Sequence, residues 1–278
     1  MATLRDHRPS VEAERPAGTF GTPFDVNWLG LWTLYKKEVQ RFVKVITQTV
    51  LAPMITTLIF LTVFTIALDR GGRTIGGLPF IEFLAPGLVM MAVIQNAFAN
   101  SSSSLMIAKI QGNIVDYLMP PLSAWELVFG VVMGAVTRGL VVGLAVWVVM
   151  IPVAGATILH PLLALFHLLA ASLALGLIGF ITALWAEKFD QLAAVTNFLV
   201  TPLSFLSGTF YAVDQLPEAF WWVAHLNPFF YMIDGLRFSL TGYTDGTLWI
   251  GAAVITAAVA ALWWLTLHLV RTGWKLRP

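Results

Sequence analysis

Runs of apolar residues separated by short polar stretches dominate this chain, at about residues 45–68, 83–107, 124–151, 162–185, 192–211 and 248–270. A hydrocarbon core about 30 Å thick takes about 20 helical residues to cross, so the runs predict six transmembrane helices. The fifth is interrupted by Pro202 and Gly208. Ahead of the first run the period changes. Trp28, Trp32, Tyr35, Val39, Phe42 and Ile46 lie within about 40° of one line at 100° per residue, with Lys37, Gln40, Arg41 and Lys44 opposite. A basic amphipathic helix with aromatics on its apolar side reads as one lying in the membrane interface.

The segments between the runs differ in kind. Residues 108–123 form a polar stretch holding Lys109, Gln111, Asn113 and Asp116, stopped by Pro120 and Pro121. Residues 69–73 are a Gly-rich turn and 186–191 a tight charged one. Residues 212–246 are neither a plain loop nor a span. Pro217 precedes one short helix over 219–225, and Asn227 with Pro228 reads as the cap and first turn of another through about residue 240. Both are too short to cross, and Phe220, Trp221, Trp222, Phe229, Phe230 and Tyr231 suit the depth of the headgroups. Asp214, Glu218, His225, Asp234 and Arg237 exclude a further span here; Asp234 and Arg237, three apart, are expected to be a solvated pair of small value.

Composition supports this layout. Hydrophobic residues make up 58% and charged ones 11% of the 278 residues, where a soluble domain carries about 25% charge. The chain is therefore an all-α integral membrane protein without a large soluble domain of its own. Its net charge of +1 is uninformative, but twelve Lys/Arg lie in the two termini, the 108–123 loop and the 186–191 turn, against Arg70, Arg73 and Arg237 on the other side. That bias places both termini in the cytosol. Residues 1–26, with mixed charges and prolines and no apolar core, are expected to be a flexible cytosolic tail, residues 27–270 the transmembrane domain and residues 271–278 a basic cytosolic tail.

Candidate chemistry is sparse. No cysteine is present, and Gly71, Gly72, Gly76 and Gly77 lack the Lys and Ser/Thr of a nucleotide-binding loop, so this chain is not expected to hydrolyse ATP. His160 and His167 lack a zinc-type motif, and no metal site, cofactor or catalytic set is expected. The polar run Gln95, Asn96, Asn100 and Ser101 to Ser104 in span two marks an inter-helix seam or a transport path, with Asn197 and Thr201 as a candidate facing wall. Arg138 in span three must face protein, water or a snorkelling path, for structural pairing or for substrate contact. Gly130/Gly134 and Gly139/Gly143 are small-xxx-small pairs on roughly opposite faces of that span, which is expected to be packed on both.

Three motifs carry a family resemblance: Ala85-Pro86-Gly87-Leu88; Asn113-Ile114-Val115-Asp116-Tyr117-Leu118-Met119 followed by Pro120-Pro121-Leu122-Ser123; and Leu226-Asn227-Pro228-Phe229-Phe230-Tyr231-Met232-Ile233-Asp234-Gly235-Leu236-Arg237. In order and spacing the chain, from about residue 27, resembles the transmembrane subunits of bacterial type 2 ABC exporters, the group with the daunorubicin-resistance and nodulation lipo-oligosaccharide exporters. The resemblance implies a homodimer bound to two cytosolic ATPase subunits, which hold ATP and Mg, in the cytoplasmic (inner) membrane. It implies an interfacial helix at 27–44, an ATPase-coupling helix at about 109–119 (Asn113, Ile114, Asp116, Tyr117, Leu118) and re-entrant outer gate helices at about 214–240 (Phe220, Trp221, Asn227, Pro228, Tyr231, Asp234, Arg237). The polar run and the broken fifth span place the conduit at the dimer seam, with Asn96, Asn100, Asn197, Phe198 and Phe205 as lining. The resemblance also implies an amphiphilic cargo, lipid-like, drug-like or glycan, with membrane lipid and not nucleic acid as a partner. The alternatives are a membrane-embedded lipid-modifying enzyme using Arg138, His160 or Asp234, and an ion-coupled secondary transporter, which would want buried carboxylates.

Overall fold

The computed structural model describes residues 26–68, 73–155, 157–213 and 217–275. The expected flexible tail (but for residue 26), the turn at 69–72 with Arg70, Asp214, and Arg277 in the basic tail lie outside the described residues, as do the side chains of Leu118 and Phe220. The chain is overwhelmingly helical. Helix α1 spans Trp28–Val43, and a π-helical turn at Thr47–Leu51 leads into α2, Ala52–Leu68. A two-residue hairpin follows, β1 Thr74–Ile75 against β2 Leu78–Pro79, turned by Gly76 and Gly77, both at positive φ. Next come α3 Phe80–Ile110, α4 Val115–Leu118, α5 Ala124–Ala154 and α6 Pro161–Trp185. Then α7 Phe189–Val195, a π turn at Thr196–Val200 and α8 Thr201–Leu206 run on without a break, and α9 Glu218–Leu226, α10 Pro228–Thr241 and α11 Leu248–Thr272 complete the chain.

Among the described residues five helices are long and apolar enough to cross a membrane: Thr47–Ala67, Phe80–Ile110, Ala124–Ala154, Pro161–Trp185 and Leu248–Thr272. The expected fifth span is instead the three-part run at residues 189–206. Pro202 cannot donate to the preceding turn, and the adjoining ladder shifts to π spacing. The same pattern recurs in α2, where Pro53 follows the other π turn. The polar 108–123 stretch also divides differently: α3 continues through Ile110 and takes Lys109 with it, Gly112 at φ 72° ends the helix, and only Val115–Leu118 is helical in the loop itself.

Helix α3 is the axis of the bundle, buried along most of its length and packed on α5 and α6, with α2 and α10 at its flanks. Helix α1 lies on α5, while α2 and α11 show most of their surface outward. Close approach depends on the glycine pairs of α5. A Cβ on Gly130 or Gly134 would meet Leu34 and Glu38 of α1, and one on Gly139 or Gly143 would meet Ser172 of α6 and Val93 of α3. The two pairs thus serve different faces, as their spacing predicts. One end of the bundle gathers α1, α4, the α6–α7 turn and the end of α11: Lys109 Nζ donates to the carbonyls of Ala183, Leu184 and Ala186, and Lys275 pairs with Glu187 at 2.9 Å. The hairpin, α9 and α10 occupy the opposite end, where Ser239 O accepts from the amides of Leu159 and His160.

Candidate functional site

At the end that holds α1, the lone acid of that helix is the hub of a buried network. Glu38 is 0% exposed. Its Oε1 accepts from Ser104 Oγ at 2.6 Å and Tyr117 Oη at 3.1 Å, and its Oε2 from Arg41 Nη2 at 3.2 Å. Arg41 also donates to Asn100 O at 2.6 Å, Asn100 Oδ1 at 3.1 Å and Ser103 Oγ at 2.9 Å. Three elements are tied through one carboxylate: α1, the middle of α3 and α4. Burial, then the neighbouring Glu38 charge, pushes the Tyr117 hydroxyl up to about 12, so it stays protonated and donates. Lys37 caps the outer face of the same ring, Nζ 4.0 Å from its centroid.

The helix positions Glu38 by presenting three faces rather than two. Leu31, Leu34, Glu38 and Phe42 pack on α5, the aromatic side with Trp28 and Trp32 stays exposed, and Lys36, Lys37 and Lys44 form a basic exposed flank. The predicted apolar line is present but is not the line that packs: the buried one lies between the aromatics and the bases. Asn27 caps α1 by accepting from Gly30 N at 2.9 Å, and its own amide donates to Glu126 Oε1 at 2.5 Å. Glu126 in turn closes the capping box of α5, accepting from Ser123 N and Oγ.

Of the expected coupling residues, Asn113 and Asp116 are exposed, Ile114 is half-buried and Tyr117 faces inward. Met119, which adjoins them, is 78% exposed. The expected conduit residues separate within one chain. Asn96 Oδ1 accepts from Arg138 Nη2 at 2.9 Å and Nε at 3.2 Å, and Asn100 is held by Arg41, so both lie inside the bundle. Ser102 and Ser103 bond back to carbonyls of their own helix. Asn197 and Phe198 sit instead on the exposed face of the π turn before α8, and Phe205 stacks on Phe210 with centroids 5.0 Å apart.

At the other end Arg237 is the hub. It was expected as a solvated partner of Asp234, but its side chain is wholly buried, Nη1 3.6 Å from Asp245 Oδ2, with Nη2 donating to Gly208 O and Nε to Phe83 O, and the guanidinium over the Phe83 ring. Asp234 is used otherwise: it accepts from Thr244 Oγ1 and from the amides of Asp245 and Gly246. Asn227 caps α10 through Phe229 N, and its Nδ2 reaches Ser207 Oγ at 2.7 Å and Leu203 O, fastening α10, which Pro228 opens, to the end of α8. Trp221 stacks on His225, which lies against Phe230 and, edge-on, Tyr231. His160 stacks on Phe238, while Asp234 and Arg138 have the separate partners given above, so the three residues of the enzyme alternative are each engaged elsewhere. Sequence reading missed Glu38, Arg41 and Asp245; the one signal for Glu38 was that it is the sole acid in a basic helix.

This architecture, with a short helix looped out after the central span and two short helices before the last, accords with the three motifs. The ABC-2 type transporter family matches residues 30–241. The chain belongs to that family. It is 32% identical over 250 residues to the inner membrane transport permease YadH of Escherichia coli (strain K12), which covers 90% of this chain and 98% of that protein. It is 25% identical over 219 residues to nodulation protein J of Rhizobium leguminosarum bv. trifolii, covering 78% and 82%, and 24% identical over 212 residues to nodulation protein J of Sinorhizobium fredii, covering 76% and 80%. As an ABC-2 permease it is a membrane transport subunit, and membership implies an ABC ATPase partner and typically a dimer.

Proposed function

We propose that the chain is the transmembrane subunit of an ATP-driven exporter of amphiphilic cargo, working as a homodimer with two copies of a cytosolic ATPase that carries ATP and Mg. What supports the reading most is the Glu38 network. A push on the 113–119 loop reaches α4 through a partner's contact with Asn113, Asp116 and Met119, passes through Tyr117 to Glu38, and arrives at Ser104 and Asn100 in the central helix. Both termini lie on the ATPase side. The run at 189–206 is the sixth crossing: at 1.5 Å per residue it reaches about 27 Å, close to the hydrocarbon thickness of about 30 Å. Helices α9 and α10 form the outer gate, dipping in without crossing. Asn197, Phe198 and Phe205 face the second copy at the seam.

The test is co-expression of the tagged permease with an ABC ATPase subunit and recovery of the pair from detergent. Asp116→Arg should cut the ATPase retained at least 5-fold while membrane insertion is unchanged. Equal retention by wild type and Asp116→Arg would reject the docking surface.

A further inference from the structure

A cavity of about 290 Å³ opens between α2 and α3, lined by Gln48, Pro53, Thr56, Thr57, Gln95 and Asn96 among others. Its polar lining sets it apart from the cavity of about 240 Å³ behind α3, whose walls include Val89, Leu140, Leu144, Trp147 and Leu168. Behind its wall stands Arg138. The guanidinium is held by a neutral amide, Asn96 Oδ1, and among the described residues no carboxylate lies within ion-pair distance of it. Arg41, which holds Asn100 one turn further along α3, has Glu38 for its charge. Arg138 thus brings an uncompensated positive charge to membrane depth, where field strength is high and an unpaired ion is costly. Asn96 links that charge to the cavity wall: its carbonyl oxygen accepts from the guanidinium, and its Nδ2 donates to Ala92 O at 3.0 Å. The side chains of Gln48 and Gln95 make no hydrogen bond to other described residues. Outside the mouth, the end of the π turn and α2 show an exposed stripe of Leu51, Ile55, Ile59 and Val63.

We propose that this cleft receives the anionic head of an amphiphile, a phosphate or carboxylate, with Arg138 supplying the charge, Gln48, Thr56 and Gln95 the donors, and the α2 stripe the surface for its chain. Taking that amphiphile to be cargo rests on the export reading above; the binding itself does not. The cleft is reached sideways from the lipid, past the π turn that Pro53 opens in α2.

The test is binding by the full-length permease alone, without ATPase, so that failure here leaves the export reading untouched. Radiolabelled dioleoyl phosphatidylglycerol and dioleoyl phosphatidylcholine are titrated against purified protein in detergent, with inorganic phosphate as competitor. Wild type should bind the anionic lipid about 10-fold more tightly than the zwitterionic one. Arg138→Gln should erase that preference and Arg138→Lys keep most of it. Ala52→Trp, which fills the mouth without touching the arginine, should weaken both lipids at least 5-fold and serves if Arg138→Gln does not fold. Competition by millimolar phosphate would assign the site to a free oxyanion, and its absence to a headgroup. An unchanged preference in Arg138→Gln, or unchanged binding in Ala52→Trp, overturns the proposal.

Discussion

Glu38 and Arg237 are both buried charges, at opposite ends of the bundle, yet they are held in different ways. Arg237 is gripped largely by backbone, the carbonyls of Phe83 and Gly208, with Asp245 adding its charge. Glu38 is gripped by side chains alone, those of Ser104, Tyr117 and Arg41, and Arg41 is 27% exposed. Backbone carbonyls move only with their helices, whereas side-chain donors can be exchanged by rotamer changes. The contrast makes the Arg237 end a fixed joint between α3, α10 and the turn after α8, and the α1 end a joint that can be remade.

The comparison can be broken most directly at its rigid side. Arg237→Met leaves Asp245 buried without its cation, held by hydrogen bonds from Tyr243 Oη and Val213 N, and losing one member of such a pair costs about 3–5 kcal/mol. Thermal unfolding in detergent should show a larger loss than either change below, and a loss under about 1 kcal/mol would mean that this joint is not fixed by Arg237. Next in size is Gly134→Val. A Cβ there stands 2.5 Å from Glu38 Cβ, so the side chain must displace α1, at about 1–3 kcal/mol. Thermal unfolding should show that loss, and unchanged stability would place the glycine outside the joint.

Tyr117→Phe removes one hydrogen bond to Glu38 and should cost about 0.5–1.5 kcal/mol in stability, yet it should lower ATPase stimulation in the assembled complex more than Asp116→Asn does. An effect on stability without one on stimulation would make the tie structural only. The smallest effect is in pH. Because the folded Tyr117 titrates at about 12, above its ordinary 10, its contribution is complete below pH 10 and is lost as pH rises through 12. The stability difference between wild type and Tyr117→Phe should therefore be flat up to about pH 10 and shrink beyond it. A difference that fades between pH 6 and 8 would assign the dependence to another group.

Five of the six expected spans were legible because lipid imposes length and apolarity on a crossing, whereas the expected fifth is broken into the three-part run at 189–206; the α9 and α10 starts were legible because Pro217, Asn227 and Pro228 act locally. The two hubs were not legible. Glu38 in an otherwise basic helix reads as surface until Gly134, on another helix, provides room for it. Arg237 has an acid three residues earlier, but Asp234 is used up by the backbone of the 244–246 turn, and the partner that remains, Asp245, comes from beyond the helix. The polar run of α3 likewise divides by what approaches from outside: Arg138 at Asn96, Arg41 at Asn100 and Ser103, Glu38 at Ser104, and for Ser102 a carbonyl of its own helix. Nothing in the run itself distinguishes these.

Helix α1 comes early in the chain, but every group that seats it is synthesised later: Asn100, Ser103 and Ser104 on α3, Tyr117 on α4, then Glu126, Gly130 and Gly134 on α5. A ribosome therefore releases it long before its berth exists. Until α5 has been made, α1 lacks the surface on which Leu34 and Glu38 pack in the folded chain. Docking of α1 is then a late event in biogenesis, and it reports that the third long helix has arrived.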